Sequence, residues 1–287
     1  MTGSFSLNML FANATLASFL VILSLGQMTV ITSGSGAIDL SIQYTIALAA
    51  YVSSVLMVSF GIILGLIATL LICVVVGVIN GLVNMYLKVP AMISSLAVGY
   101  IVYSGVLIIS GMTTGMPVEE VAFFVQKFRI FGISPLIFIA AIVAVIMSFV
   151  LNRTKYGKRL HAVGQNRKAA EMAGVNIAKI VMTSFVISSV LAGFAGALLG
   201  GYFGGAFQDM GVSFLLTSIA ATVIGGTSIA GGKSSVAGTI SGAMLLTLIV
   251  AFLNLSRLHA SYQNLIQGAL LMVILIASVP KSKRVFS

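Results

Sequence analysis

Residues 152–180 read NRTKYGKRLHAVGQNRKAAEMAGVNIAKI, the one strongly hydrophilic stretch in an otherwise apolar chain. Six of the fifteen Lys and Arg residues lie between Arg153 and Lys168, namely Arg153, Lys155, Lys158, Arg159, Arg167 and Lys168. Lys179 follows, and Glu171 is the single acid of the stretch. Short loops this rich in Lys and Arg stay on the cytoplasmic side of a membrane protein. The stretch also carries its own helix signals. Asn166 can cap a helix whose first residue is Arg167, the alanines at 169, 170 and 173 favour helix, and Gly174 can take the left-handed turn that ends it after about two turns. Asn176 can cap a second helix that begins at Ile177 and runs into the apolar segment 180–199. The expectation is a short surface helix tied rigidly to a membrane span.

The remainder of the chain supports a membrane setting. Of 287 residues, 59% are hydrophobic and only 7% are charged, against about a quarter charged in a soluble globule. The fold class expected is an all-α polytopic membrane protein, with one transmembrane domain over 1–287. Nine segments are apolar enough to be spans, at 14–32, 41–59, 62–87, 91–112, 134–152, 180–201, 213–229, 236–256 and 262–279. The seventh is short and polar at its end, as a broken or re-entrant segment would be. No Lys or Arg precedes the first apolar run, and none occurs before Lys88, so no cleavable signal peptide is expected.

The net charge of +10 is concentrated at 153–179 and in the tail Lys281, Lys283, Arg284, with no aromatic platform interleaved. That is topogenic charge and not a nucleic-acid surface. The loop 153–179 and the tail are both placed inside, and the four crossings between them make the two assignments agree. The loop 113–133 then lies outside, and Glu119 and Glu120 offset Lys127 and Arg129 there. The lone Cys73 can form no intrachain disulfide and is read as packing, buried or against lipid.

Two stretches break the apolar pattern. In IGGTSIAGGK, 224–233, the glycines Gly225, Gly226, Gly231 and Gly232 together with Thr227 and Ser228 cannot hold an uninterrupted helix, since each interior Gly costs about 1 kcal/mol relative to Ala. Non-helical backbone at membrane depth survives only where protein or a watery cavity covers it, so this segment lines a conduit or its inner mouth. It lacks the spacing of a phosphate-binding loop, and no strand pattern precedes it. In TSGSGAIDLS, 32–41, Asp39 is the one acid before Glu119. It is read first as a helix cap and second as a solute contact. Asn80 and Asn84 share one face of the third span; with Gln43 and Tyr103 they are either interhelical hydrogen-bonding groups or conduit lining. The spacing Gly196-x-x-x-Gly200 permits close helix packing.

YGKRLHAVGQNRKAAEMAGVNIAKI resembles the cytoplasmic signature of permease subunits from ABC importers for ribose, related sugars and autoinducer-type compounds. The resemblance covers nearly the whole chain. TSGSGAIDLSIQ at 32–43, VINGLVNMYLKVPAMISSLAVGYIVYSG at 78–105 and IGGTSIAGGKSSVAGTISG at 224–242 are similar to that family's other segments, in the family's order. Ala37 stands where the family commonly has Gly, and Ile42 with Gln43 replaces Val-Gly, which puts the sugar preference in doubt. Members usually have ten spans, and this sequence begins just before what would be the second.

The resemblance implies that the short helix is a coupling helix docking on a separate ATPase subunit, with Gly164, Asn166, Arg167, Lys168, Ala169, Ala170, Glu171 and Gly174 at the contact. It further implies a second permease chain, identical or related, an extracytoplasmic solute-binding protein, and the bacterial inner membrane. ATP and Mg belong to the partner, leaving no cofactor, metal or catalytic residue on this chain. The conduit and gate candidates are Asp39, Gln43, Asn80, Asn84, Tyr103, Gly225, Gly226, Thr227, Ser228, Gly231 and Gly232. Three alternatives stay open: an ion-coupled secondary transporter, a nucleoside permease and a branched-chain amino-acid permease. Intramembrane catalysis is not supported, because His161 and His259 lie in separate loops and neither a metalloprotease motif nor paired intramembrane aspartates occur.

Overall fold

A computed structural model describes residues 7–255 and, beyond them, positions 259, 262, 265, 266, 268, 269, 272 and 273. The described residues form helices α1 (Leu7–Thr32), α2 (Ile42–Phe60), α3 (Ile62–Tyr86), α4 (Ala91–Ser110), α5 (Glu119–Gln126), α6 (Pro135–Arg153), α7 (Lys155–Gln165), α8 (Arg167–Met172), α9 (Ile177–Phe203), α10 (Val212–Ile224) and α11 (Val236–Leu255). Among them, α1 from Asn13, α2, α3, α4, α6, α9 and α11 are each long and apolar enough to cross a membrane. This is a multi-pass membrane protein. The 13 residues of α10 extend only about 20 Å at 1.5 Å per residue, short of the roughly 30 Å hydrocarbon core. Of the segment expected at 213–229, the glycine-rich remainder after Ile224 is loop. The ninth expected segment, 262–279, and the basic tail lie largely or wholly outside the described residues.

The bundle is organised around α1 and α9. Within its apolar window α1 is 89% buried, whereas α3 is 28% buried. Small residues set the distances. A Cβ at Gly77 or Gly81 of α3 would strike α9 at Val186 or Met182, and one at Gly193 would strike Cys73. Gly196 faces the Ile46 backbone of α2, and Gly200 lies against Ala50. The Gly196-x-x-x-Gly200 ridge is thus where α2 crosses α9, and Cys73 is buried packing. Without a hydrophobic drive between helices in lipid, such backbone approach is what holds spans together.

Two connections do not stay at the ends of the bundle. The link 33–41 leaves α1 at the end that carries α7 and α8, called here the basic face. It climbs until the Asp39 carboxylate accepts a hydrogen bond from Ser188 Oγ at 2.7 Å. Ser188 is eleven residues into α9, about 17 Å along it, so α2 starts near mid-depth. The link 204–211 descends from the opposite face until Gly211 meets the Gln43 backbone. Two of the sequence's expectations needed more structure than they contained. Residues 155–165 are the helix α7, capped by Thr154, whose hydroxyl accepts the Gly157 N–H at 3.3 Å. The loop 113–133 contains α5, which packs on α9 through Gln126 Nε2 donating to the Gly201 carbonyl at 2.8 Å.

Candidate functional site: the basic face and the broken segments

At the basic face, α7 and α8 lie against the span ends. Leu160, Val163 and Ala170 are buried in the main core, and Tyr156 Oη pairs with Ser184 Oγ at 3.0 Å. Burial pushes the Tyr156 phenol up from its ordinary pKa. Asn166 caps α8 by accepting the Ala169 N–H, and Asn176 caps α9 by accepting the Lys179 N–H, both at 3.0 Å. Gly174 has φ +77° just past the end of α8, the left-handed position that favours Gly. Lys168, Ala169, Glu171 and Met172 face outward, with Met172 84% exposed. Ala170 points inward and anchors the helix instead of offering surface.

Arg167 is half-buried and its Nε has no partner. Burial lowers its pKa, yet a guanidinium is not deprotonated in proteins. Burial thus disfavours the charged form of a side chain whose Nε is left without a partner. With Lys88, Asn84, Pro90, Gly34 and Ser35 it lines a cavity of about 460 Å³. Asn84 belongs to this face, where its Nδ2 donates to the Val89 carbonyl at 2.8 Å.

Beside the cavity three chain segments meet at glycines. The Gly232 N–H donates to the Thr32 carbonyl at 2.9 Å. Gly164, near the end of α7, is wedged against both: a Cβ there would land on the Thr32 oxygen and the Gly232 nitrogen and lie 2.8 Å from the Gly232 Cα. Gly231, at φ +94°, presses on the Gly34 Cα in the same way. Gln165 Nε2 donates to the Gly232 carbonyl at 3.2 Å, and His161 Nε2 meets Ser234 Oγ at 3.0 Å. His161 Nδ1 faces the Gly157 carbonyl at 2.8 Å. A carbonyl only accepts, so Nδ1 carries a proton, and in the neutral ring Ser234 donates to Nε2. The helix leading into α8 is thus bolted to the broken link 33–41 and to the loop after α10.

At mid-depth Asp39 is fully buried. It accepts from Ser41 N at 3.0 Å, from Ser41 Oγ at 2.6 Å and from Ser188 Oγ at 2.7 Å. Asn80 Nδ2 donates to Ser41 Oγ at 2.8 Å. Ser95 Oγ accepts the Leu40 N–H at 3.0 Å and meets the Ile38 carbonyl at 3.1 Å. Asp39 is not the helix cap the sequence suggested, since the N-cap of α2 is Ser41 and carries no side-chain cap bond. The carboxylate instead holds the turn before α2 through the Ser41 N–H and ties the break to α9, while Asn80 and Ser95 add α3 and α4. Among the described residues the buried side-chain polar atoms without a partner, besides Arg167 Nε, are Gln27 Oε1 and Nε2, Ser24 Oγ, Ser189 Oγ, Asn80 Oδ1 and Thr227 Oγ1. Gln27 escaped the sequence reading, although a lone amide in an apolar span was the signal for it.

The candidate residues therefore fall in several separate places. Gly164, Gly231 and Gly232 share the glycine junction, and Asp39 and Asn80 share the mid-depth network. Gln43 and Tyr103 lie toward the opposite face, where the Tyr44 and Tyr103 rings stand 5.2 Å apart. Gly225 packs on Gly238 and Thr239, Gly226 is open at φ +85°, and the Ser228 N–H closes the loop on the Lys233 carbonyl at 3.0 Å.

Comparison with known proteins is consistent across the length of the chain. It is 31% identical over 207 residues to the galactose/methyl galactoside import permease protein MglC of Haemophilus influenzae, covering 69% of this chain and 62% of that one. It is 34% identical over 148 residues to the ribose import permease protein RbsC of the same organism, covering 52% and 46%. The chain thus spans between about half and three fifths of the length of these two relatives. The autoinducer 2 import system permease protein LsrC of Yersinia enterocolitica is 29% identical over 264 residues, covering 91% and 72%. No solved structure matches. The profile of the family described as branched-chain amino acid transport system / permease component matches residues 9–275, and the chain belongs to that family.

Proposed function

We propose that the chain is the transmembrane permease subunit of a bacterial ABC importer, forming the conduit for a sugar or sugar-like solute and coupling it to a separate ATPase. The observation that carries this reading is the glycine junction, where Gly164 leads directly into α8 and touches both Thr32–Gly34 and Gly231–Gly232. Displacing α8 from outside must displace both broken segments. The basic face is cytoplasmic in this reading, and the assembly sits in the inner membrane. Met172, an exposed apolar side chain on a polar helix, and Arg167 offer a contact for a partner with an apolar cleft bordered by acids. ATP and Mg reside on that partner. A second permease chain and a solute-binding protein complete the assembly.

The relatives' names favour galactose, ribose or autoinducer 2 as solute, and the family's description adds branched-chain amino acids. The test is purification from native membranes in mild detergent with identification of co-purifying chains. An ATPase subunit is expected, together with a second permease or a second copy. A second reading, ion-coupled secondary transport, is favoured by the fully buried Asp39. It takes precedence if the intact chain purifies alone.

A further inference from the structure

The exposed surface of α4 has two characters. Ile101 and Ile108 are 72% and 62% exposed, as lipid-facing residues should be. Beside them Tyr100, Tyr103 and Ser104 share another strip with the exposed Leu96 and Leu107, which stand four residues from Tyr100 and Tyr103, and the tyrosines sit against the start of α2 and the link 204–211. The Tyr44 ring lies 5.6 Å from Tyr100, tilted 36°, and 5.2 Å from Tyr103, tilted 48°. Gly99 makes room for it, since a Cβ there would be 2.7 Å from Tyr44 Cδ2. Above the rings, Gln208 Nε2 donates to Ser110 Oγ at 3.0 Å. Asp209 is exposed and follows Gln208 directly in the same link. Tyr100 is 55% exposed, so the aromatic cluster is open on one side.

A bare carboxylate and an amide are not left facing hydrocarbon, so the end of this strip at the link 204–211 faces water or a polar ligand. We infer that Tyr44, Tyr100 and Tyr103, with Asp209 and Gln208, form a solute-contact site in the conduit for a neutral polyhydroxy ring. The tyrosine faces offer apolar surface to the C–H face of a sugar while their hydroxyls reach its edge. The Asp209 carboxylate and the Gln208 amide oxygen accept hydrogen bonds from hydroxyls, and the few polar groups on an aromatic floor fit the usual make-up of a small-molecule site. No Lys or Arg belongs to the cluster, so an anionic solute finds no counter-charge. The rings splay into an open V instead of boxing a point charge, which favours a ring over a small cation. The inference rests on the sugar-conduit reading for its solute class, whereas its claim of an aqueous surface stands on geometry alone.

The test uses the whole importer in native membranes, with Tyr100→Cys and Ile101→Cys made separately and a membrane-impermeant maleimide as reagent. Native Cys73 is buried and adds no background. Cys at 100 is expected to label and Cys at 101 not to, and D-ribose or D-galactose is expected to slow labelling at 100 severalfold. Labelling at neither position, or a disulfide between two copies at 100, overturns the aqueous surface. Protection by choline and by neither sugar overturns the solute class. As a second measurement, Tyr100→Phe keeps the ring and loses one hydroxyl and should raise KM for uptake only slightly, while Tyr100→Ala should raise it about tenfold. Equal KM in both variants overturns the platform. ATPase co-purification is expected to be unchanged in all variants, so a failure of this site is separable from a failure of the importer reading.

Discussion

Replacing Gly164 by Ala tests the junction most directly. The added Cβ meets the Thr32 oxygen, the Gly232 nitrogen and, at 2.8 Å, the Gly232 Cα, where ordinary contact begins at 3.4 Å. All three atoms are backbone, and two of them are hydrogen-bonded to each other, so neither segment can yield alone. Holding the helix in place leaves an overpacking cost of about 1–3 kcal/mol, near the upper end for backbone obstacles. Backing α7 away instead, by more than about 1 Å to clear the Thr32 oxygen and the Gly232 nitrogen, breaks the Gln165 and Ser234 bonds, now 3.2 and 3.0 Å, at about 1 kcal/mol each. Ala returns about 1 kcal/mol in helix propensity. The net is a loss of about 1–2 kcal/mol, a fall in Tm of roughly 2–6 °C. The larger effect should be functional, because either route parts α8 from the broken segments, and uptake should fall at least tenfold with normal membrane insertion. Gly205→Ala is the control, since nothing lies within 4 Å of its Cβ position. Thermal unfolding in detergent and uptake in cells measure the two effects. A Gly164→Ala protein with wild-type Tm and wild-type uptake would refute the reasoning.

Three other substitutions separate the readings. Met172→Glu should leave Tm unchanged, because the side chain is exposed, yet weaken ATPase co-purification several-fold; undiminished recovery removes α8 from the contact. Asp39→Asn keeps an oxygen for Ser41 and an amide that can donate to Ser188 Oγ, so uptake should persist within a few-fold, whereas ion coupling through Asp39 demands its loss. Asp39→Ala strands the Ser41 N–H and two hydroxyls and should cost about 1–3 kcal/mol, read as a lower Tm. Gly174→Val forces a β-branched residue to φ +77°, costing about 1–2 kcal/mol. In the importer reading it abolishes uptake and uncouples ATP hydrolysis, and wild-type uptake by this variant counts against coupling through α8.

Local chemistry was legible from the residues alone. Asn166, Gly174 and Asn176 mark the bounds of α8 and the start of α9 because capping and left-handed turns depend on one or two neighbours. Seven of the nine expected spans coincide with helices long and apolar enough to cross a membrane, since runs of apolar residues need no partner to be recognised. The amphipathic α7 was hidden by its basic residues, as its buried Leu160 and Val163 count as apolar periodicity only once a surface to cover is known. α5 was hidden by brevity. The grouping of residues into sites was decided by tertiary structure. Gly34, Gly164 and Gly231 are widely separated in sequence, and their meeting depends on how far three backbones approach, a quantity no periodicity encodes. Gln27 and Tyr44 likewise gain meaning only from what stands opposite them. The chain by itself determined which segments enter the membrane and where helices begin, because those depend on solvent preference and nearest neighbours. Tertiary structure alone decided that the helix next to α8 grips both broken segments, because that contact is a matter of backbone distance between helices.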